Sequence, residues 1–118
     1  DPKKAYPATA AMLDRRPGIT GLYIASENCD GVCRCILDRG LSGKIRVVAT
    51  GNSAAVGHYL EEGLIHASIF QNQHLQGRRA IDVLFQRLET GEAPSGKILV
   101  PPVVMLKSNM AQFPAARG

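Results

Sequence analysis

Three stretches of this sequence share one layout: a short apolar run, a loop carrying polar side chains, then a helical pattern that stops at glycine. The first runs from Ile19 to Ala25, through Ser26-Glu27-Asn28, to a helix ending at Gly40. The second runs from Lys44 to Ala49, through Thr50-Gly51-Asn52-Ser53, to a helix ending at Gly63. The third runs from Ile65 to Phe70, through Gln71-Asn72-Gln73, to a long helix ending at Gly91. Strands that alternate with helices imply βαβ crossovers, and these require a parallel sheet. A parallel sheet puts the carboxyl ends of its strands on one edge, where open α/β folds bind ligands. Here that edge would carry mainly amides and hydroxyls, which suit a small neutral polar ligand such as a sugar.

Other classes find less support. Hydrophobic residues make up 45% of the 118, enough for a core, and charged residues 20%, an ordinary globular balance. The longest apolar run, Ile98 to Leu106, is short for a membrane span and contains Pro101 and Pro102. Net charge is +4, but the basic residues are scattered, tryptophan is missing and aromatics are 5%, against the composition of a nucleic-acid surface. The opening Asp1-Pro2-Lys3-Lys4 has neither methionine nor the apolar core of a signal peptide, so a leader or a whole preceding domain is expected to be missing. Cys29, Cys33 and Cys35 lack the second pair that a structural zinc site requires. They read as small apolar residues on a helix face, and three free thiols favour a reducing cytoplasm. His58, His66 and His74 are too dispersed for a metal or a triad, and no nucleophile elbow, Walker loop or GxGxxG occurs. The expectation is therefore no catalytic residue, no metal and no cofactor.

Periodicity gives the remaining outline. Ala5 to Arg15 reads as a helix with Ala8, Met12 and Leu13 turned inward and Pro7 in its first turn. A second helix covers about Cys29 to Arg39, with Val32, Cys33, Ile36 and Leu37 on one face. Ser53 is suited to cap a third helix that buries Val56, Tyr59 and Leu60. The fourth, Leu75 to Glu89, aligns Ala80, Ile81, Leu84, Phe85 and Leu88. Lys97 to Leu106 reads as extended, and its prolines make it an edge or a crossing between regions. Residues 111–118 show no periodicity and are expected to be a flexible tail. Three strands for four helices make a small sheet with free edges, as in part of a larger domain.

The strands at Ile19 to Ala25 and Ile45 to Val48, the stretch Gly63 to Gln71, Gln76-Gly77-Arg78-Arg79-Ala80 and the closing Ile98 to Asn109 follow in one order. Over about residues 5 to 110 this series resembles the C-terminal lobe of periplasmic-binding-protein-like sugar-sensing domains, as in the LacI/GalR transcription regulators. The resemblance implies a type I lobe: a three-layer α/β sandwich with a mostly parallel sheet flanked by helices. Residues 1–110 would form part of an effector-binding domain, with 97–106 as a strand crossing to a second lobe. It further implies a cytoplasmic regulator that binds a sugar-like effector, forms homo-oligomers and reaches operator DNA through an N-terminal helix-turn-helix domain not in this sequence. The alternatives are the solute-binding component of a sugar ABC transporter and, at a greater distance, a fragment of an α/β enzyme.

The resemblance also directs attention to particular residues. A glutamine after the third strand commonly bonds the sugar in this family, and Gln71 stands there, followed by Asn72. The polar loop after the first strand supplies Ser26, Glu27 and Asn28. After the second strand the family usually has an aspartate, whereas this sequence has Gly51-Asn52, so a carboxylate for paired hydroxyls is missing. Each asparagine has a structural reading too: Asn28 and Asn52 as caps of the following helices, Asn72 as a turn former.

Overall fold

The computed structural model describes residues 2–113. Four α-helices and four strands alternate as α1 (Pro2–Arg15), β1 (Gly21–Ile24), α2 (Asp30–Asp38), β2 (Arg46–Thr50), α3 (Ala54–Glu61), β3 (Ala67–Phe70), α4 (Gln73–Thr90) and β4 (Val103–Met105). A short 3-10 turn, Met110–Gln112, follows. The chain divides into two compact units, Asp1–Phe70 with Val104–Gly118, and Gln71–Val103.

The first unit holds a sheet in the order β1-β2-β3-β4. β1 pairs with β2 in parallel, Gly21 opposite Arg46 and Ile24 opposite Ala49. β2 pairs with β3 in parallel, Val48 opposite Ala67 and Thr50 opposite Ile69. The carboxyl ends of β1, β2 and β3 therefore share one edge, as the βαβ reading requires. Each strand is shorter at its amino end than its apolar run. Ile45 and Ile65 are buried but precede the ladder, so their apolarity reflects packing before strand pairing begins.

The core of this unit gathers Ile24, Val47 and Ala49 from the strands and Cys33, Cys35, Ile36, Val56 and Leu60 from the helices, all buried. Leu37, expected on the inward face of α2, is instead exposed, and Cys35 takes a buried position. α1 packs on α2. There Tyr6 donates its hydroxyl proton to Asp38 Oδ2 at 2.9 Å, and Arg39 grips Asp14 through both carboxylate oxygens at 2.6 and 3.2 Å. The guanidinium holds the Asp14 carboxyl below its ordinary pKa. α1 begins at Pro2, earlier than expected. Pro7 therefore lies inside the helix, where it gives up one N–H, and Ala8 is exposed while Thr9 is buried.

Of the extended segment 97–106, only Val103–Met105 forms a strand. Pro101 and Pro102 have no N–H to offer a ladder. Through Val104 and Met105 the strand becomes the fourth of the sheet, and Met105 is buried. Asn109 secures the turn after it, donating to the Val104 carbonyl and accepting from the Leu106 N–H. Lys107 reaches the Glu61 carbonyl at 2.7 Å. Phe113, in the expected tail, meets Phe70 edge-on at 5.2 Å, while residues 114–118 lie outside the described residues.

The second unit is α4 with its following segment. Asn72, at φ 50°, caps α4 by accepting from the Leu75 N–H, and Gly91, at φ 74°, closes it. No residue of this helix is buried.

Candidate functional site at the carboxyl edge of the sheet

Two loops leave the carboxyl edge in the first unit, and a small number of hydrogen bonds joins them. Ser53 is the pivot. Its Oγ accepts from the Val56 N–H to cap α3 and donates to the Glu27 carbonyl at 3.0 Å. The loop after β1 is thereby tied to the start of α3. Ser68, fully buried in β3, donates its hydroxyl to the Gly51 carbonyl at 2.6 Å, and the Gly51 N–H donates to the Ile69 carbonyl at 2.9 Å. The loop after β2 is thereby tied to β3. At the end of the β1–β2 pair, the Tyr23 hydroxyl and Thr50 Oγ1 share a 2.8 Å hydrogen bond.

Gly51 is the close approach in this arrangement. Its φ of +91° lies in the region that favours glycine, and a Cβ there would collide with the Glu27 side chain. Glu27 lies over the second loop rather than extending into solvent, and it is half-buried. Asn52, next in sequence, is only 7% exposed and has a polar partner. Among the described residues, no buried side-chain polar atom lacks a hydrogen bond.

The other expected site residues fall in different surroundings. Ser26 is exposed and accepts from the Asn28 N–H at 3.2 Å, a local turn bond. Asn28 is exposed and lies beside Lys3, Tyr6, Asp30, Arg34 and Asp38, on the flank formed with α1 and α2. It is not the cap of α2, and Asn52 is not the cap of α3. Cys29 and Ser53 hold those positions, one residue further on in each case. Cys29 makes no side-chain cap bond, and its side chain is fully buried. In the second unit, Asn72 has the structural role just described. Gln71 is exposed, and its carbonyl accepts from Gln76 Nε2 at 2.6 Å.

Beneath the β1 loop the Cys29 and Cys33 thiols hydrogen-bond each other. This favours ionisation at Cys29 and opposes it at Cys33, where burial adds to the rise. Tyr59, packed beside them, is pushed up to about 12 by burial, with Asp30 adding to the shift. All three cysteines are free and buried, so they pack the helix face as read from sequence. Among the described residues no cluster of His, Cys, Asp or Glu could hold a metal. No described helix is long and apolar enough to cross a membrane.

Ser53, Ser68, Gly51, Tyr23 and Thr50 were not singled out as site residues from sequence. Ser68 left one signal, a lone hydroxyl inside an apolar strand. A depression lined by Leu13, Pro17, Ile19, Arg39, Leu41 and Lys44 opens at the opposite, amino-terminal edge. A concave surface alone therefore does not select the edge; strand direction and the polar loops do.

A parallel α/β sheet with polar loops at its carboxyl edge defines the class of ligand-binding α/β lobes. Residues 1–93 match the family described as periplasmic binding protein domain, and the chain belongs to that family. A search of curated proteins found no match. Among solved structures, an ABC transporter solute-binding protein from Agrobacterium vitis, bound with alpha-D-tagatopyranose, is 28% identical with a TM-score of 0.85. The alignment covers 99% of this chain and 41% of that one. The periplasmic ribose ABC transporter of Conexibacter woesei is 27% identical with a TM-score of 0.79, over 94% of this chain and 38% of that one. An ABC transporter periplasmic solute-binding protein from Actinobacillus succinogenes, with bound D-allose, shares the fold at 24% identity and a TM-score of 0.83. It is covered over 40% of its length by 96% of this chain. The chain thus spans about two fifths of the length of the structures it matches.

Proposed function

We propose that this chain is part of the solute-binding component of a sugar transporter, contributing one side of a sugar site at the carboxyl edge of its sheet. Family membership over residues 1–93 carries the reading. Two of the structures it resembles, at 28% and 27% identity, support it, since both are ABC transporter proteins and one is bound with alpha-D-tagatopyranose. The chemistry agrees. In the first unit Ser26 and Asn28 offer exposed hydroxyl and amide groups and Glu27 a carboxylate, and α2 begins without a side-chain cap; Gln71, in the second unit, offers an exposed amide of its own. Such groups recognise sugar hydroxyls through directional hydrogen bonds, each worth about 0.5–1.5 kcal/mol net. Asn52, in the loop after β2 and 7% exposed, is a further candidate for the same site.

A second reading keeps the same site in a LacI-type regulator, with the effector shifting an open-closed equilibrium that a DNA-binding domain reports. Three buried, unpaired cysteines favour that cytoplasmic setting over an oxidising one. The preceding coding sequence separates the two: a signal peptide supports the transporter reading, a helix-turn-helix the regulator.

The site itself is tested by amide NMR during titration with D-ribose, D-allose and D-tagatose. Binding is expected to be weak, because two fifths of a binding protein supplies only part of the hydrogen bonds. Shifts should nevertheless centre on the loops after β1 and β2 in the first unit, residues 26–28 and 51–53. Shifts centred on Pro17 to Thr20 and Lys44 would overturn the assignment of the edge.

A further inference from the structure

We propose that Glu27 is the specificity-determining residue of this edge: its carboxylate, laid across the second loop because residue 51 is glycine, accepts hydrogen bonds from two adjacent hydroxyls of the sugar. This role rests on the sugar-site reading above and adds to it the residue that selects among sugars. Cγ, Cδ and Oε1 of Glu27 all fall in the space that a Cβ at position 51 would fill. A carboxylate from the loop after β1 therefore stands at the carboxyl end of β2, where a side chain of residue 51 would begin. The backbone is held at both positions. The Glu27 carbonyl accepts from Ser53 Oγ at 3.0 Å and from the Cys29 N–H at 3.1 Å. Gly51 donates its N–H to Ile69 and accepts from the Ser68 hydroxyl. With both loops fixed and its side chain half-buried, Glu27 is already ordered before a ligand arrives, and that lowers the cost of binding.

The chemistry of the group selects the feature it reads. Glu27 is the one charged residue in the loop segments 25–28 and 50–53. The hydroxyl of Ser26 and the amides of Asn28 and Asn52 can each donate or accept, so they tolerate either orientation of a sugar hydroxyl. An ionised carboxylate only accepts. Its two oxygens lie side by side and suit two neighbouring hydroxyls that both donate. Their four lone-pair sites let it keep a partner within the protein at the same time. Hydrogen bonds to a charged acceptor are also about twice as strong as neutral ones. A sugar that lacks one hydroxyl of the pair should therefore be rejected at Glu27 more firmly than at the neutral groups.

Amide NMR titrations of the full 118-residue chain test this role. D-ribose, D-allose and D-tagatose identify the tightest of the three, and monodeoxy analogues of that sugar locate the hydroxyl pair. Removal of either of two adjacent hydroxyls should raise the wild-type Kd about tenfold, the scale of a hydrogen bond to a charged group. Glu27→Gln should raise the Kd of the parent sugar about tenfold as well, but that of those two analogues about threefold or less, since each has already lost one of the two bonds. Glu27→Asp keeps the charge but shortens its reach across Gly51, and it should behave as Glu27→Gln. Unchanged amide shifts outside the two loops verify that each variant is folded. If Glu27 only held the loops together, its replacement would weaken the parent sugar and every analogue by the same factor, and that result overturns the proposal. An unchanged Kd for the parent sugar in Glu27→Gln, with shifts still centred on residues 26–28 and 51–53, also overturns it and leaves the edge as the sugar site without Glu27. Shifts centred on Pro17 to Thr20 and Lys44, or none with any of the three sugars, overturn the site and this role together.

Discussion

α2 and α4 are both amphipathic, yet they have opposite fates. Half the length of α4, α2 buries Gly31, Cys33, Cys35 and Ile36, and its start supports the loop after β1. α4 presents a stripe of larger side chains and buries nothing. The period of a helix states which side is apolar; what covers that side is decided by the rest of the polypeptide. α2 lies in the unit that holds the sheet, and α4 in the unit that has only its own trailing segment. Apolar pattern and realised burial are therefore separate quantities, and stability should follow the second.

The widest difference is expected between core and stripe. Ile36→Ala should lower unfolding free energy by about 2–5 kcal/mol through lost transfer and cavity terms. Ile81→Ala, in a chain kept dilute, should cost no more than about 0.5 kcal/mol. Urea unfolding measures both, and equal losses would erase the distinction between the units. A comparison of backbone follows. Gly91 has φ 74° with open space around it, so Gly91→Ala should cost about 1 kcal/mol. Gly51→Ala adds a collision with Glu27 to the same strain and should cost at least about 2 kcal/mol. If the two glycines prove equivalent, the close approach of the two loops is not a constraint.

Caps give a smaller contrast. Ser53→Ala removes both a cap and the bond to Glu27, and about 1–2 kcal/mol should be lost. Asn72→Gly loses the cap bond but keeps access to positive φ, so only a few tenths of a kcal/mol should go. Hydrogen exchange in α3 and α4 reads each locally. Alkaline titration gives the smallest contrast, since every tyrosine lies in the first unit. With its pKa raised to about 12, Tyr59 contributes stability that is present at neutral pH and lost as pH climbs from 10.0 through about 12. Tyr59→Phe should remove that late step in tyrosinate absorbance, and its persistence would assign the step elsewhere.

Much of the scaffold was legible because local rules and global fold agree. Gly40, Gly63 and Gly91 all have positive φ, as helix-stopping glycines should. Ser53 caps α3 as read. The failures have local causes. The apolar runs overshoot the strands at their amino ends because Ile45 and Ile65 are apolar for packing rather than for pairing. Asn28 and Asn52 were read as possible caps, while Cys29 and Ser53 hold those positions. A one-residue shift of this kind leaves little trace where several small polar residues adjoin. β4 was obscured by Pro101 and Pro102, which kept its three paired residues from standing out. The candidate site was legible as a set of loops but not as a network. Bonds such as Ser53 to Glu27 and Ser68 to Gly51 join residues far apart in sequence.

The Glu27 side chain occupies the space that a Cβ at position 51 would need. The two positions therefore form one unit of variation, though they lie 24 positions apart in the sequence. A lineage that placed a side chain at 51 would first have to shorten or redirect the residue at 27. A lineage that kept glycine would be free to keep the long carboxylate. Among homologues, glycine at 51 should accompany a bulky residue at 27 more often than chance, and that association would mark relatives that share this loop closure.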